Sequence, residues 1–191
     1  MPFIPQPIYF NVGQGTAAAG TPASSEQWSV SNANVVQIGT NGSSWRGMFL
    51  KVTSSADFVD KTITKITLRL FSFDSGSTDE AFQVGIFNTS ETYSGTPLTT
   101  FTGTTANNNN ELTGSFADYE FEGSGVVEAD NAIGLMITRS DGVSDNLVQI
   151  ATNSSGMPTG CQGINYSQTN TAWNDDSYAN GKALIGSGEG Y

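Results

Sequence analysis

Eighteen carboxylates and no histidine set the chemistry open to this chain. The acidic groups gather at Asp74, Asp79 and Glu80, at Asp141 and Asp145, and at Asp175 and Asp176 beside Trp173. Calcium takes roughly six to eight oxygen ligands from carboxylates and carbonyls. These segments hold the right atoms, but none has the regular spacing of a calcium loop, and solvated surface charge is the simpler reading. A carboxylate pair hydrolyses glycosides only when a desolvated acid faces a substrate cleft, and such short polar segments supply neither. Without histidine the usual general base and the His-dependent nucleophiles are missing. Cys161, in "SGMPTGCQG", has no Lys or Arg beside it to lower its pKa and reads as an inert thiol. One cysteine also excludes an intramolecular disulfide and a cysteine-based zinc site. The sequence therefore predicts no catalytic residue, no cofactor and no metal.

The aromatic residues offer a different chemistry. Trp45, Trp173 and Tyr178, with Tyr93 and Tyr166, are candidates for a platform on which the apolar face of a sugar would stack. The competing reading is that these rings fill the ends of a β-sandwich.

Strands must position these residues. In "TKITLRLFSFDSGSTDEAFQVGIFN", Ile66, Leu68 and Leu70 alternate with Thr67, Arg69 and Phe71, and Phe82, Val84 and Ile86 alternate with Gln83, Gly85 and Phe87. Period-two alternation marks a strand with one buried face, and the small, polar, acidic stretch between the two is a surface loop. Further strands are predicted at "VVQIG", "RGMFLKV", "DYEFEG", "NAIGLMITR", "LVQIAT" and "ALIG". In "RGMFLKV", Met48, Leu50 and Val52 form one face and Phe49 and Lys51 the other. Turn-rich spacers such as "TSETYSGTP" and "TANNNNELTG" separate the runs. Charged residues make up only 13% of the chain, too few for helices with solvated faces. Many short strands at such spacing predict an all-β fold, an antiparallel sandwich or barrel.

"MPFIPQPIYF" breaks this pattern. Its prolines remove backbone donors and favour extended geometry, so the segment reads as an arm, with Phe3, Ile4, Ile8, Tyr9 and Phe10 as its apolar contacts. "GQGTAAAGTPASSE" follows as a small-residue linker. The expected organisation is an arm and linker over residues 1–27 and one β-domain over 28–191. The net charge is −11, and the seven basic residues are scattered. Nucleic acid and anionic membranes both call for clustered Lys and Arg, so neither is an expected partner. No segment reads as a signal peptide or a membrane span, which points to synthesis in a cytoplasm without classical export.

The order of strand patterns resembles that of jelly-roll modules found in phage virion proteins and bacterial surface proteins. Ile63, Ile66, Leu68 and Leu70 match an "I-x-x-I-x-L-x-L" strand; Phe82, Val84 and Ile86 match "F-x-V-x-I"; Gly95, Pro97 and Leu98 match a "G-x-P-L" turn. "YEFEGSGVVEADNAIGLMITR" and the tail "INYSQTNTAWNDDSYANGKALIG" are similar to later segments of such modules. The likeness spans residues 45 to 186 and carries fold better than function. It implies a two-sheet jelly-roll sandwich with an extended N-terminal arm. The implied function is that of a capsid cement or decoration subunit, made in the host cytoplasm and carried on the virion. Its expected partners are the major capsid protein or other virion subunits, and its own copies in a homo-oligomer, a trimer ahead of a dimer. The alternative is a carbohydrate-binding module on a tail or capsid exterior that attaches the particle to a host glycan.

Overall fold

A computed structural model of the chain describes residues 26–27, 34–38, 46–56, 59–72, 81–93, 96–137, 148–153, 159–167, 172–175, 183–184 and 186–189. Thirteen strands run through them: β1 Glu26–Gln27, β2 Asn34–Ile38, β3 Arg46–Val52, β4 Lys61–Ser72, β5 Phe82–Asn88, β6 Thr99–Gly103, β7 Ala117–Val127, β8 Asn131–Ile137, β9 Val148–Asn153, β10 Cys161–Ser167, β11 Ala172–Asp175, β12 Ala183–Leu184 and β13 Gly186–Glu189. Among the described residues the only helical element is a single 3-10 turn at Asn109–Glu111. All the strand pairings are antiparallel. The expected all-β antiparallel class is therefore present. Of the arm and linker expected over residues 1–27, only Glu26 and Gln27 lie among the described residues.

The strands join as one continuous sheet in the order β1-β13-β4-β7-β6-β5-β8-β3-β10-β11, and β9 pairs with the end of β4 and carries β2 and β12. The sheet curls so that its two halves face each other. Ile66, Leu68 and Leu70 of β4, Tyr119 and Phe121 of β7 and Ile150 of β9 pack in one cluster with Met48 and Leu50 of β3, Val84 and Ile86 of β5 and Ile133, Leu135 and Ile137 of β8. All are buried. Each large apolar side chain so placed contributes roughly 1.5–3 kcal/mol relative to exposure, before ordering costs.

The curl turns on β6, which pairs with β5 through Val84↔Phe101 and with β7 through Gly103↔Phe121. Close approach at the seam depends on glycine. A Cβ at Gly125 would sit 2.7 Å from Ile86 Cδ1, and one at Gly123 would sit 2.8 Å from Phe101 Cγ. A second local device explains the three-residue step between Ile63 and Ile66. The β4–β7 register shifts between Ile63 and Lys65, so both isoleucines reach the core although strict alternation would separate them. Outside this part of the sheet, Lys65 pairs with Glu120 and Arg69 with Asp118, each at 3.2 Å. Such surface pairs contribute about 0–1 kcal/mol each.

The asparagine run in "TANNNNELTG" is structural. Asn108 accepts from the backbone N–H groups of Asn110 (2.9 Å) and Glu111 (3.1 Å), capping the 3-10 turn. The Asn107 amide accepts from Gly103 N–H at 2.8 Å and donates to Gly103 C=O at 3.2 Å, as a backbone partner would. Asn109 is fully buried, and Ala106 and Leu112 beside it join the core.

Candidate functional site

The outer face of the β5-β8-β3-β10-β11 half carries a second apolar cluster where a solvated face would be polar. Alternation along β3 directs Phe49 away from the core formed by Met48 and Leu50. The same parity sends Phe87 of β5, Ala132 and Met136 of β8, and Ile164 and Tyr166 of β10 to this side, with Tyr93 and Trp173 packed against them. The register aligns them: Phe49 pairs with Gly134 on one side and Ile164 on the other, and Tyr166 lies between Gly47 and Trp173. Phe49, Phe87, Met136, Ile164 and Tyr166 are buried, while Tyr93 and Trp173 are partly exposed.

The rings meet edge to face. Phe49 and Phe87 have centroids 4.8 Å apart at 71°, Phe49 and Trp173 are 5.0 Å apart at 73°, and Tyr93 and Tyr166 are 5.8 Å apart at 74°. Tyr166 and Trp173 are tilted at 57° with centroids 4.9 Å apart. Each ring's positive edge meets a neighbour's negative face, a geometry that contributes about 0.5–1.5 kcal/mol per pair beyond the area buried. The polar ends are used internally. Trp173 Nε1 donates to the Glu91 carbonyl at 2.8 Å, and the Tyr93 hydroxyl donates to Gln83 Oε1. These two bonds tie the segment after β5 to the sheet.

Burial, with a smaller push from the neighbouring Tyr166 phenol, raises the Tyr93 pKa well above the ordinary tyrosine range. Its contribution to stability is fully present below about pH 10, where an unfolded tyrosine titrates. Above that pH the unfolded chain loses the proton before the folded one, so stability falls as pH rises towards the folded-state value. The expected result is a fall in melting temperature setting in near pH 10 that Tyr93→Phe removes in part; melts at several alkaline pH values check it, and identical profiles for the two proteins would contradict it.

Of the residues considered for glycan stacking, the structure brings Trp173, Tyr93 and Tyr166 together. Trp45 and Tyr178 lie outside the described residues, as do the arm residues Phe3, Ile4, Ile8, Tyr9 and Phe10. The same holds for Asp74, Asp79, Glu80, Asp141, Asp145 and Asp176, while Asp175 is the last residue of β11. Among the described residues no group of three or more acidic or cysteine side chains is placed to hold a metal ion. Cys161 opens β10 and packs, partly buried, against the main core. Phe49, Phe87 and Met136 are the members that the aromatic inventory overlooked. Their signal was present only in part, since Phe49, Phe87 and Met136 take outward positions of β3, β5 and β8 that they share with the polar Lys51 and Gln83. What this arrangement does chemically is pack. Comparison of the chain with protein-family models, with curated proteins and with solved structures finds no match.

Proposed function

We propose that this chain is a phage virion structural protein, a two-sheet jelly roll that sits on the capsid as a cement or decoration subunit and grips its neighbours through its N-terminal arm. The observation that carries the reading is the fate of the strand pattern on which the resemblance rests. Ile63, Ile66, Leu68, Leu70, Val84 and Ile86 all fall inside one core, and Phe82 packs against it. The pattern is thus that of a packed antiparallel β-domain, with no long helix among the described residues to carry an amphipathic interface. The arm supports the same reading from composition: five large apolar residues among prolines cannot join a central strand and gain from burial against another surface. A few such residues per copy, repeated over a symmetric shell, hold it by avidity. On a shell, the acidic surface would face away from packaged DNA.

The test is deletion of residues 1–10 followed by measurement of binding to preformed heads. Occupancy is expected to fall more than tenfold, the equivalent of about 1.4 kcal/mol. Unchanged occupancy would remove the arm from the account. Copy number in purified particles separates capsid from tail: hundreds of copies are expected, and tens or fewer would move the protein to the tail.

A further inference from the structure

We propose that residues 89–93 and β11 form a latch that opens as one unit ahead of the rest of the fold, uncovering the outer apolar face of β3, β8 and β10. The capsid reading neither requires nor excludes such a latch.

The segment after β5 is rooted where that strand ends. Thr89 donates its backbone N–H, at 3.4 Å, and its hydroxyl, at 2.5 Å, to the Asp130 carbonyl. Two residues on, the Glu91 carbonyl accepts from Trp173 Nε1 of β11. β11 lies four places from β5 in the sheet, about 19 Å at ordinary strand spacing. Tyr93 then packs on Phe87 of β5, with centroids 5.5 Å apart, and on Tyr166 of β10, and its hydroxyl returns to Gln83 of β5. The segment is thus a strap that joins β5 to β10 and β11 over the intervening β8 and β3. Ala132, Gly134 and Gly47 leave room for it, because on this face they carry a methyl group or nothing.

Both parts are lightly held. Among the described residues β11 pairs with β10 alone, over four residues. Residues 89–93 take part in no strand pairing, and Ser90, Glu91 and Thr92 are exposed. Regions with few buried contacts and solvent-exposed bonds open at lower free energy than core strands. The two parts also share their fastenings. Trp173 bonds to the strap, and Tyr93 packs on Tyr166, which packs in turn on Trp173. Release of either ring loosens the seat of the other. Beneath them Phe49, Met136 and Ile164 are buried although they point away from the main core. β3, β5 and β8 stay in place on opening, because Met48, Leu50, Val84 and Ile133 on their opposite faces remain locked into that core. Closed, the latch masks an apolar sheet face and the outer edge of β10; open, it presents both.

Native-state hydrogen exchange of the full-length protein in low urea, read by NMR, tests this together with cleavage by a protease that cuts after glutamate. The Trp173 indole N–H and the amides between β10 and β11 are expected to be protected roughly tenfold less, or weaker still, than those between β4 and β7. Tyr93→Phe should speed exchange of these β11 reporters about fivefold, as loss of one hydrogen bond implies. Trp173→Phe should speed cleavage after Glu91 by a similar factor, since cleavage follows the population of the open form. Ile66→Val, in the main core, is the control: it should speed the β4–β7 amides about fivefold and leave both latch readouts unchanged. Melting curves should show all three variants folded. Latch reporters as strongly protected as the β4–β7 amides overturn the proposal. So does an equal response of latch and β4–β7 amides to Ile66→Val. A Tyr93→Phe variant that leaves β11 exchange unchanged, or a Trp173→Phe variant that leaves Glu91 cleavage unchanged, would show two independent parts and end the latch.

Discussion

Gly134→Ala is expected to remove a large part of the protein's stability, lowering it by about 3 kcal/mol or more in urea or thermal unfolding. Gly134 sits in the middle of β8, paired with Phe49 of β3 on one side and Gly85 of β5 on the other. A Cβ there would lie 2.2 Å from the Met48 carbonyl oxygen, 2.9 Å from Phe49 Cα and 2.8 Å from Phe49 Cδ1. Two of these three atoms are backbone of a central strand, which cannot move aside without breaking its pairing with β8 or β10. Overpacking a core commonly costs about 1–3 kcal/mol when side chains can adjust, and a clash against the ladder itself belongs at or above the top of that range. Against a total stability of about 5–15 kcal/mol the loss is large. Gly114→Ala is the matched control. Nothing lies within 4 Å of a Cβ at Gly114, which is exposed, so that change should stay within about 0.5 kcal/mol. Equal effects at the two positions would mean that the close approach at Gly134 is not real.

The strands with one apolar face were legible because alternation and burial share a cause. "RGMFLKV" reads as β3 to the residue, and "LVQIAT" and "NAIGLMITR" locate β9 and β8 to within two residues at each end. β6 was hidden. In "TTFTG" only Phe101 is buried, so one apolar residue among threonines carried the whole signal and the stretch was assigned to no strand. β10 was hidden for another reason: Cys161, Gly163 and Asn165 occupy its inward positions, and its apolar residues, Ile164 and Tyr166, face outward. The asparagines of the "NNNN" run looked like filler because composition does not distinguish a solvated amide from one that replaces a backbone partner. As for the site, the sequence named Trp173, Tyr93 and Tyr166 as a group, but the sharing of one face with Phe49, Phe87 and Met136 depends on strand order. β3, β8 and β5 are neighbours in the sheet although they are far apart in the chain. No local pattern contains that information.

Phe49→Ala is expected to cost about 3–5 kcal/mol, the range for truncating a fully buried aromatic residue. Phe49 lies over Gly47 and Gly134, and its ring atoms fill the space that a Cβ at either would take. Aromatic cover of strand glycines is a recognised way of stabilising a sheet. Phe87 and Trp173 close over the ring from two sides, so truncation leaves a hole on a face where, among the described residues, no second sheet packs to collapse into it. Trp173→Ala should cost less, about 2–3 kcal/mol, because that side chain is partly exposed. Trp173→Phe keeps a ring but loses the bond to the Glu91 carbonyl, and should cost about 1 kcal/mol. Since Phe49 and Trp173 touch, the double alanine variant should be less damaging than the sum of the singles by about 0.5–1.5 kcal/mol. These values follow from a cluster whose function is to hold β3, β10, β11 and the segment after β5 together. A sugar-stacking platform makes the opposite demand, for ring faces turned to solvent, and the faces here meet neighbouring edges. Melting curves and a glycan array on the same variants separate the two. If Trp173→Ala melted like wild type while abolishing binding to a glycan that wild type holds, the ring would be a ligand contact and its packing role would fall. Loss of stability without any glycan dependence would place Trp173 with Phe49, as part of the outer core on which β11 depends.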